Sequence, residues 1–339
     1  MFRDGPEGSS MRRLARTILA SAIAVGGAEL AARTAAVPPT NEARRSAVDA
    51  LLARADVWLD QGNLDAALDG YRQVLEIDPD NVMAHRGAGF ALMELGRPEE
   101  GVPDLRDAIR LDPTAHRAWE NLGLAYAATY DRITDSLKRI SLRPGGMPSE
   151  PDPLWKHAQG LNEKLKSFDF RTEAIAAMRE AARLEPTEPK YWYNLGTTLM
   201  QYRRSQLAAA TEALMKAVEL DPSYYAALRN LEGSLEDQRL FKDAWDLCLR
   251  MEQTFGPQDA WLQLHLAGLS KEMGDLNEAE QRLNRVLELG GDASVVHLEL
   301  AKVFKLRHDD ERAQQHLQEA VRLSPDHERV MRQEFDCER

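Results

Sequence analysis

The stretch YRQVLEIDP at 71–79 decides the fold, because the chain writes it again as LRDAIRLDP at 105–113, 34 residues on. The same phrase returns as MREAARLEP at 178–186, LMKAVELDP at 214–222 and LQEAVRLSP at 317–325. LNRVLELGG at 283–291 puts Gly291 in the proline slot, 34 residues before Pro325. The interval from Pro113 to Pro186 is 73 residues, two periods plus five, and that from Pro222 to Pro325 is 103, three periods plus one. A self-similar period of this length is the mark of a repeat architecture.

Each period reads as two amphipathic helices. Val48, Leu51, Leu52, Ala55 and Trp58 recur at steps of three and four, one apolar face of a helix. Gly62-Asn63 punctuates, and Leu64, Ala67, Leu68, Tyr71, Val74 and Leu75 form a second stripe that ends at Asp78-Pro79. Proline cannot continue the helix and biases the residue before it away from helical geometry, so it closes one unit and opens the next. Neither helix can hide its stripe alone. Stacking the units buries a continuous core, which predicts an all-α solenoid.

The run WENLGLAY at 119–126 places Trp119, Leu122, Gly123 and Tyr126 in the order Trp-x-x-Leu-Gly-x-x-Tyr, and WYNLGTTL repeats Trp192, Leu195 and Gly196. Small residues stand at Gly89, Gly123, Gly196, Ala267 and Ala301 in first helices, and at Ala67, Ala174, Ala210, Ala244, Ala279 and Ala313 in second helices. On these residues the chain resembles the tetratricopeptide repeat (TPR) proteins from about Val48 to Pro325. The resemblance implies a right-handed superhelical solenoid whose first helices line a concave surface that holds peptides or partner helices.

The organisation read from the sequence is a leader over 1–40, a solenoid over 41–327 and a capping tail over 328–339, with Val330, Met331 and Phe335 as its apolar stripe. About eight units are expected, near 48–81, 82–115, 116–149, 155–188, 189–224, 225–259, 260–293 and 294–327, with a degenerate join at 131–153. The rival parse is seven units with one long insertion. Gly101 and Pro103 break the pattern in the second unit, where an interior proline costs ~3 kcal/mol. A late start or a kink is expected there.

Charge bounds the function. The chain has 43 Lys+Arg against 55 Asp+Glu, net −12, which argues against a nucleic-acid partner that needs a basic stripe. Residues 1–47 carry seven basic and four acidic residues. MRRLART from Met11, then the uncharged run Thr17 to Ala28, fits a secretory signal peptide, so export is favoured over a cytoplasmic location. That run is too short for a membrane span, which needs ~20 residues, and the region has no cysteine for a lipid anchor.

Motifs for catalysis are missing. There is no H-E-x-x-H, phosphate-binding loop, dinucleotide fingerprint or nucleophile elbow. His308-Asp309-Asp310-Glu311 reads as a turn with an N-capping Asp, and Cys248 as a small core residue. The expectation is a non-enzymatic chain with no catalytic residue, cofactor or metal site.

The candidate binding residues are those facing away from the packing stripes. Asn121, Asn194 and Asn230 each precede the packing leucine of a first helix, and an amide can donate to and accept from a peptide backbone at once. They resemble the asparagine ladder of the O-linked N-acetylglucosamine transferase superhelix, with three rungs here. The alternative is that Asn in this slot is exposed and idle. Arg86, Lys190, Tyr193, Arg229, Trp261, Lys302 and Lys305 are placed on the same surface, with Asp56, Asp60, Glu120, Glu236 and Asp237 opposing them in sign. The reading is therefore an interaction scaffold with a peptide or protein ligand in its groove. Its alternatives are a self-assembly module and a regulatory or substrate-delivery subunit of a separate enzyme.

Overall fold

The computed structural model describes residues 40–143, 145–147, 149, 152–202 and 204–337; of the leader read over 1–40, residues 1–39 lie outside them. Among the described residues the fold is all-α, with no strand. The chain divides into two units, one ending at Pro79 and one beginning at Asp80.

In the first unit α1 (Asn41–Asp60) pairs with α2 (Leu64–Ile77). The Thr40 side chain caps α1 by accepting from Ala43 N–H, so the helix starts ahead of Val48. Gly62 takes the left-handed turn between the two helices, φ +75°. Ala55, Ala67, Leu68, Tyr71 and Val74 are buried between them. The Tyr71 hydroxyl donates to Asp56 at 2.6 Å, which turns Asp56 toward the partner helix.

The second unit stacks its helices in sequence order as a solenoid. They are α3 (Val82–Glu94), α4 (Pro98–Leu111), α5 (His116–Ser141), α6 (Pro153–Ser167), α7 (Phe170–Leu184), α8 (Pro189–Tyr202), α9 (Leu207–Leu220), α10 (Tyr225–Asp237), α11 (Phe241–Phe255), α12 (Ala260–Glu272), α13 (Leu276–Glu288), α14 (Ala293–Leu306), α15 (Asp310–Leu323) and α16 (Glu328–Cys337). Pairs form as α3/α4, α5/α7, α8/α9, α10/α11, α12/α13 and α14/α15, and successive first helices α3 and α5, α8 and α10, α12 and α14 also touch.

The small residues sit where the two helices of a pair cross. A Cβ on Gly101 would meet the Gly89 carbonyl oxygen at 2.6 Å, and one on Gly89 would meet Leu105 at 2.6 Å. Gly123 abuts Met178 and the Ala174 carbonyl, and Gly196 abuts Leu214 and the Ala210 carbonyl. Ala244, Ala267, Ala279, Ala301 and Ala313 are fully or almost fully buried. Gly101 is thus a packing residue. The late start expected in α4 does not occur, since the helix opens at Pro98. Pro103 lies on its exposed side, where the carbonyl that loses its donor can face water.

Tryptophans lock the period. Trp119 Nε1–H donates to the Pro113 carbonyl at 3.0 Å, and Trp192 Nε1–H to the Pro186 carbonyl at 2.9 Å. In each case the first helix of one repeat fastens onto the turn that ended the previous one.

The join at 131–153 departs from the eight-unit parse. Residues 131–141 continue α5 as helix, and α5 packs against α7, so the pairing is that of six repeats in this unit with α6 inserted. Ala158 is the buried residue of α6, and Asn162 donates to its own helix at Ala158 O instead of filling a small-residue crossing. Glu99 on α4 pins both additions, accepting from Arg132 and Lys164 at 2.6 Å each. Against the desolvation that would raise it, those two hydrogen bonds hold the Glu99 carboxyl below its ordinary value.

At the far end Met331 and Phe335 of α16 enter the core built by α14 and α15, while Val330 stays exposed. Lys305 Nζ donates to the Phe335 carbonyl at 2.6 Å. Glu299 is the hub of this end, with Lys271 of α12 at 3.0 Å and Lys302 at 2.7 Å, and Lys302 also reaches Glu334 of α16 at 3.2 Å. Burial would raise the Glu299 carboxyl, yet the two ammonium groups hold it low.

Three outcomes follow from this packing. Gly101→Ala gains ~1 kcal/mol of helix propensity but overpacks the Gly89 backbone at a cost of about 1–3 kcal/mol, so chemical denaturation should show net destabilisation. Arg239 and His308 occupy the turn position with φ +60° each, where Gly62, Gly96 and Gly274 stand in other repeats. Arg239→Gly and His308→Gly should therefore each raise stability by about 0.5–1 kcal/mol, and a lower melting temperature would contradict the strain. Glu299→Gln should cost about 2–3 kcal/mol at pH 7 by removing the carboxylate that Lys271 and Lys302 share. A carboxyl held low contributes stability above its unfolded value of 4.5 and loses it as pH falls through the folded value, so the gap to wild type should close in acid.

Candidate functional site

The first helices of the second unit present one shared face, and a hollow on it lies across α8, α10 and α12. The stripe that buries Leu228, Leu231 and Leu235 against α9 and α11 leaves Arg229, Asn230, Gly233 and Glu236 of α10 facing outward. Together with Tyr193, Ala226, Glu232, Trp261 and His265 they line an open groove of about 530 Å³. A second hollow of about 240 Å³ continues it toward α14, lined by Glu236, Leu264, His265, Gly268, Val295 and Glu299. Gly233 and Gly268 keep both hollows open, since a Cβ on either would meet nothing within 4 Å.

The groove gathers four of the residues singled out from sequence: Tyr193, Arg229, Asn230 and Trp261. Tyr193 stacks near Tyr224, ring centroids 5.0 Å apart. Trp261 is engaged by two cationic or ionisable neighbours, the Arg229 guanidinium at 4.3 Å and the His265 ring at 4.0 Å.

The asparagines join neighbouring first helices. Asn194 Nδ2 donates to Glu120 of α5 at 2.9 Å, and Asn230 Nδ2 donates to Thr197 of α8 at 3.1 Å. Asn121 is buried. Each bonded asparagine thus spends one donor on the preceding repeat and keeps its carbonyl for other partners. Lys190 sits with the buried Glu120 at 2.7 Å. Lys302 and Lys305 are committed to α16, as described above. Arg86 lies on α3, outside both hollows, with Met83 Sδ at 4.0 Å.

The sequence reading placed Glu236 on this face but missed Glu232 and His265, which join it in the groove. Glu232 is almost fully buried, and His265 Nδ1 lies 2.9 Å from its Oε1. Glu236, one turn along α10, adds a second carboxyl to the same spot. Its own burial and then the Glu232 charge push it up to about 7. Ligand atoms of Glu232, Glu236 and His265 come within 4.8 Å of one another, a donor set able to hold a metal ion. Glu232 and Glu236 share a helix face at a spacing of four, and His265 follows Glu232 by 33 residues, close to one repeat. Superposing the repeats was the signal that places them on adjacent first helices.

Cys248 and Tyr225 are committed to packing and hydrogen bonding. Cys248 is fully buried and burial pushes its thiol up. Tyr225 is raised to about 12 by burial and by its hydrogen bond to Asp259. Asp309 caps α15 by accepting from Arg312 N–H, which is the role read for the His308–Glu311 turn. Among the described residues no helix is long and apolar enough to cross a membrane.

Comparison with known proteins agrees with this architecture. Residues 55–96 match a family model described as TPR repeat, and residues 87–131 and 189–224 match models described as tetratricopeptide repeat. The chain is 26% identical over 195 residues to the BBSome complex member BBS4 of Bos taurus, covering 56% of this chain and 36% of that one. It is 24% identical over 286 residues to Protein O-mannosyl-transferase TMTC3 of Homo sapiens, covering 78% of this chain and 30% of that one. The chain thus spans about a third of the length of either relative. Solved structures similar to it include the MamA protein, at 20% identity and a TM-score of 0.44 over 61% of this chain and 91% of that one. Another is a tetratricopeptide repeat protein from Parabacteroides merdae ATCC 43184, at 14% identity and a TM-score of 0.48 over 86% and 98%. The chain thus carries tetratricopeptide repeats, matched over residues 55–131 and 189–224, on the helix pairs described above.

Proposed function

We propose that this protein is a non-enzymatic scaffold that holds an extended segment of a partner protein along the face of α8, α10, α12 and α14. Tetratricopeptide repeat proteins are generally protein-interaction scaffolds. The observation that carries the finer reading is the pair of linked hollows kept open by Gly233 and Gly268 and edged by Tyr193, Arg229, Asn230 and Trp261. A groove built on packed helices is preorganised, so it pays little ordering cost and several modest contacts along a ligand can sum to useful affinity. The asparagine carbonyls suit a peptide N–H, and the half-buried aromatics supply apolar contact to its side chains.

Occlusion tests this reading without disturbing the core. Gly233→Tyr and Gly268→Tyr place bulk where nothing lies within 4 Å, so both should fold like wild type. A photo-crosslinking residue at position 233 should capture a partner from native lysate, and Gly268→Tyr should abolish that capture. Capture from the exposed outer position Lys216 alone, with none from 233, would move binding to the second helices and contradict the proposal.

A further inference from the structure

The geometry points to a divalent transition-metal site at Glu232, Glu236 and His265, with Zn²⁺ as the fitting class of ion, facing the groove between α10 and α12. This goes beyond the peptide-binding reading and does not depend on it.

Three observations converge on the site. The donor set is mixed: two carboxylates and one imidazole, which suit zinc and its borderline neighbours better than calcium or magnesium. His265 Nδ1 and Glu232 Oε1 are 2.9 Å apart, a hydrogen-bond spacing that already faces the two donors toward each other. Two bonds of about 2.0–2.1 Å at the tetrahedral angle hold their donor atoms about 3.3–3.4 Å apart, so the pair opens by roughly 0.4 Å to take the ion. The third ligand atom, on the half-buried Glu236, comes within 4.8 Å of both.

The surroundings support one small cation over a large one. The Trp261 faces that would receive a ligand ammonium or guanidinium already hold Arg229 at 4.3 Å and His265 at 4.0 Å. Two other acids of the first-helix face have protein cations beside them: Glu120 has Lys190, and Glu299 has Lys271 and Lys302. Glu236 instead faces a second carboxylate, and that pair opens onto a groove of about 530 Å³ with room for water to complete the coordination. Metal on Nδ1 needs the neutral imidazole whose proton sits on Nε2, so a proton held between Nδ1 and Glu232 moves to Nε2 through solvent as the ion binds. Burial of Glu232 fixes the donor pair in place before the ion arrives.

The test is isothermal titration calorimetry of Zn²⁺ into the full chain, free of any histidine tag and stripped with chelator. One Zn²⁺ per chain is expected, with affinity lowered at least about tenfold in Glu236→Gln and in His265→Gln. Glu236 is half-exposed, so the first variant should melt like wild type without metal. His297 and His316 form the other close imidazole pair, with their Nδ1 atoms 2.9 Å apart. His316→Gln is therefore the control and should bind as wild type does. No binding, or binding lost in His316→Gln and kept in the other two variants, would overturn the assignment. So would Ca²⁺ binding as tightly as Zn²⁺, because that is the behaviour of an acidic pair acting without His265.

Discussion

Two helices can cross at backbone distance only where the residues at the crossing are glycine or alanine-sized, and the rest of this molecule depends on that constraint. Gly89 over Gly101, Gly123 over Ala174 and Gly196 over Ala210 bring paired helices close enough for their apolar stripes to interlock. Close pairs then expose a second stripe to the next pair, and Leu105 and Leu122 share one core, as do Leu228 and Leu262. Because each pair buries its neighbour, the first helices are held side by side at fixed spacing. Residues one repeat apart in sequence become neighbours in space on a single face.

That geometry explains where the chemistry collects. Glu120 meets Asn194 and Lys190, Thr197 meets Asn230, and Glu232 meets His265, each across adjacent first helices. A polar residue on this face is therefore seldom alone. It either fastens repeats together, as Glu299 does for α12, α14 and α16, or it is left facing the groove, as Glu236 is. The ionisable groups that escape this division are core residues such as Cys248, which burial makes inert.

The fold was legible because its rules are local and repeated. Proline after the second helix, small residues at the crossings and Trp at the head of a first helix each act within about one period, and Trp119 and Trp192 make the bonds that such a rule implies. The eight-unit parse failed because α6 is helical and amphipathic like a repeat helix, and the 73-residue interval nearly equals two periods. Only the pairing of α5 with α7 distinguishes an insertion from a repeat, and that contact is not written in either helix alone. Pro103 misled in a similar way: its cost depends on which side of α4 it occupies. The site was legible in part. The sequence identified which residues share the face, including Arg229, Asn230 and Trp261, but not what each finds opposite it, so the engaged donors of Asn194 and Asn230 and the Glu232–His265 pair emerged only in three dimensions.

The central claim is that the partner is held on the outward face of the first helices and not on the second. Hydrogen–deuterium exchange of the full chain, with and without its cross-linked partner, measures this directly. The account predicts added protection on α8, α10, α12 and α14 around Tyr193, Asn230, His265 and Val295. Protection confined to α9, α11 and α13, with the first helices unchanged, would contradict it.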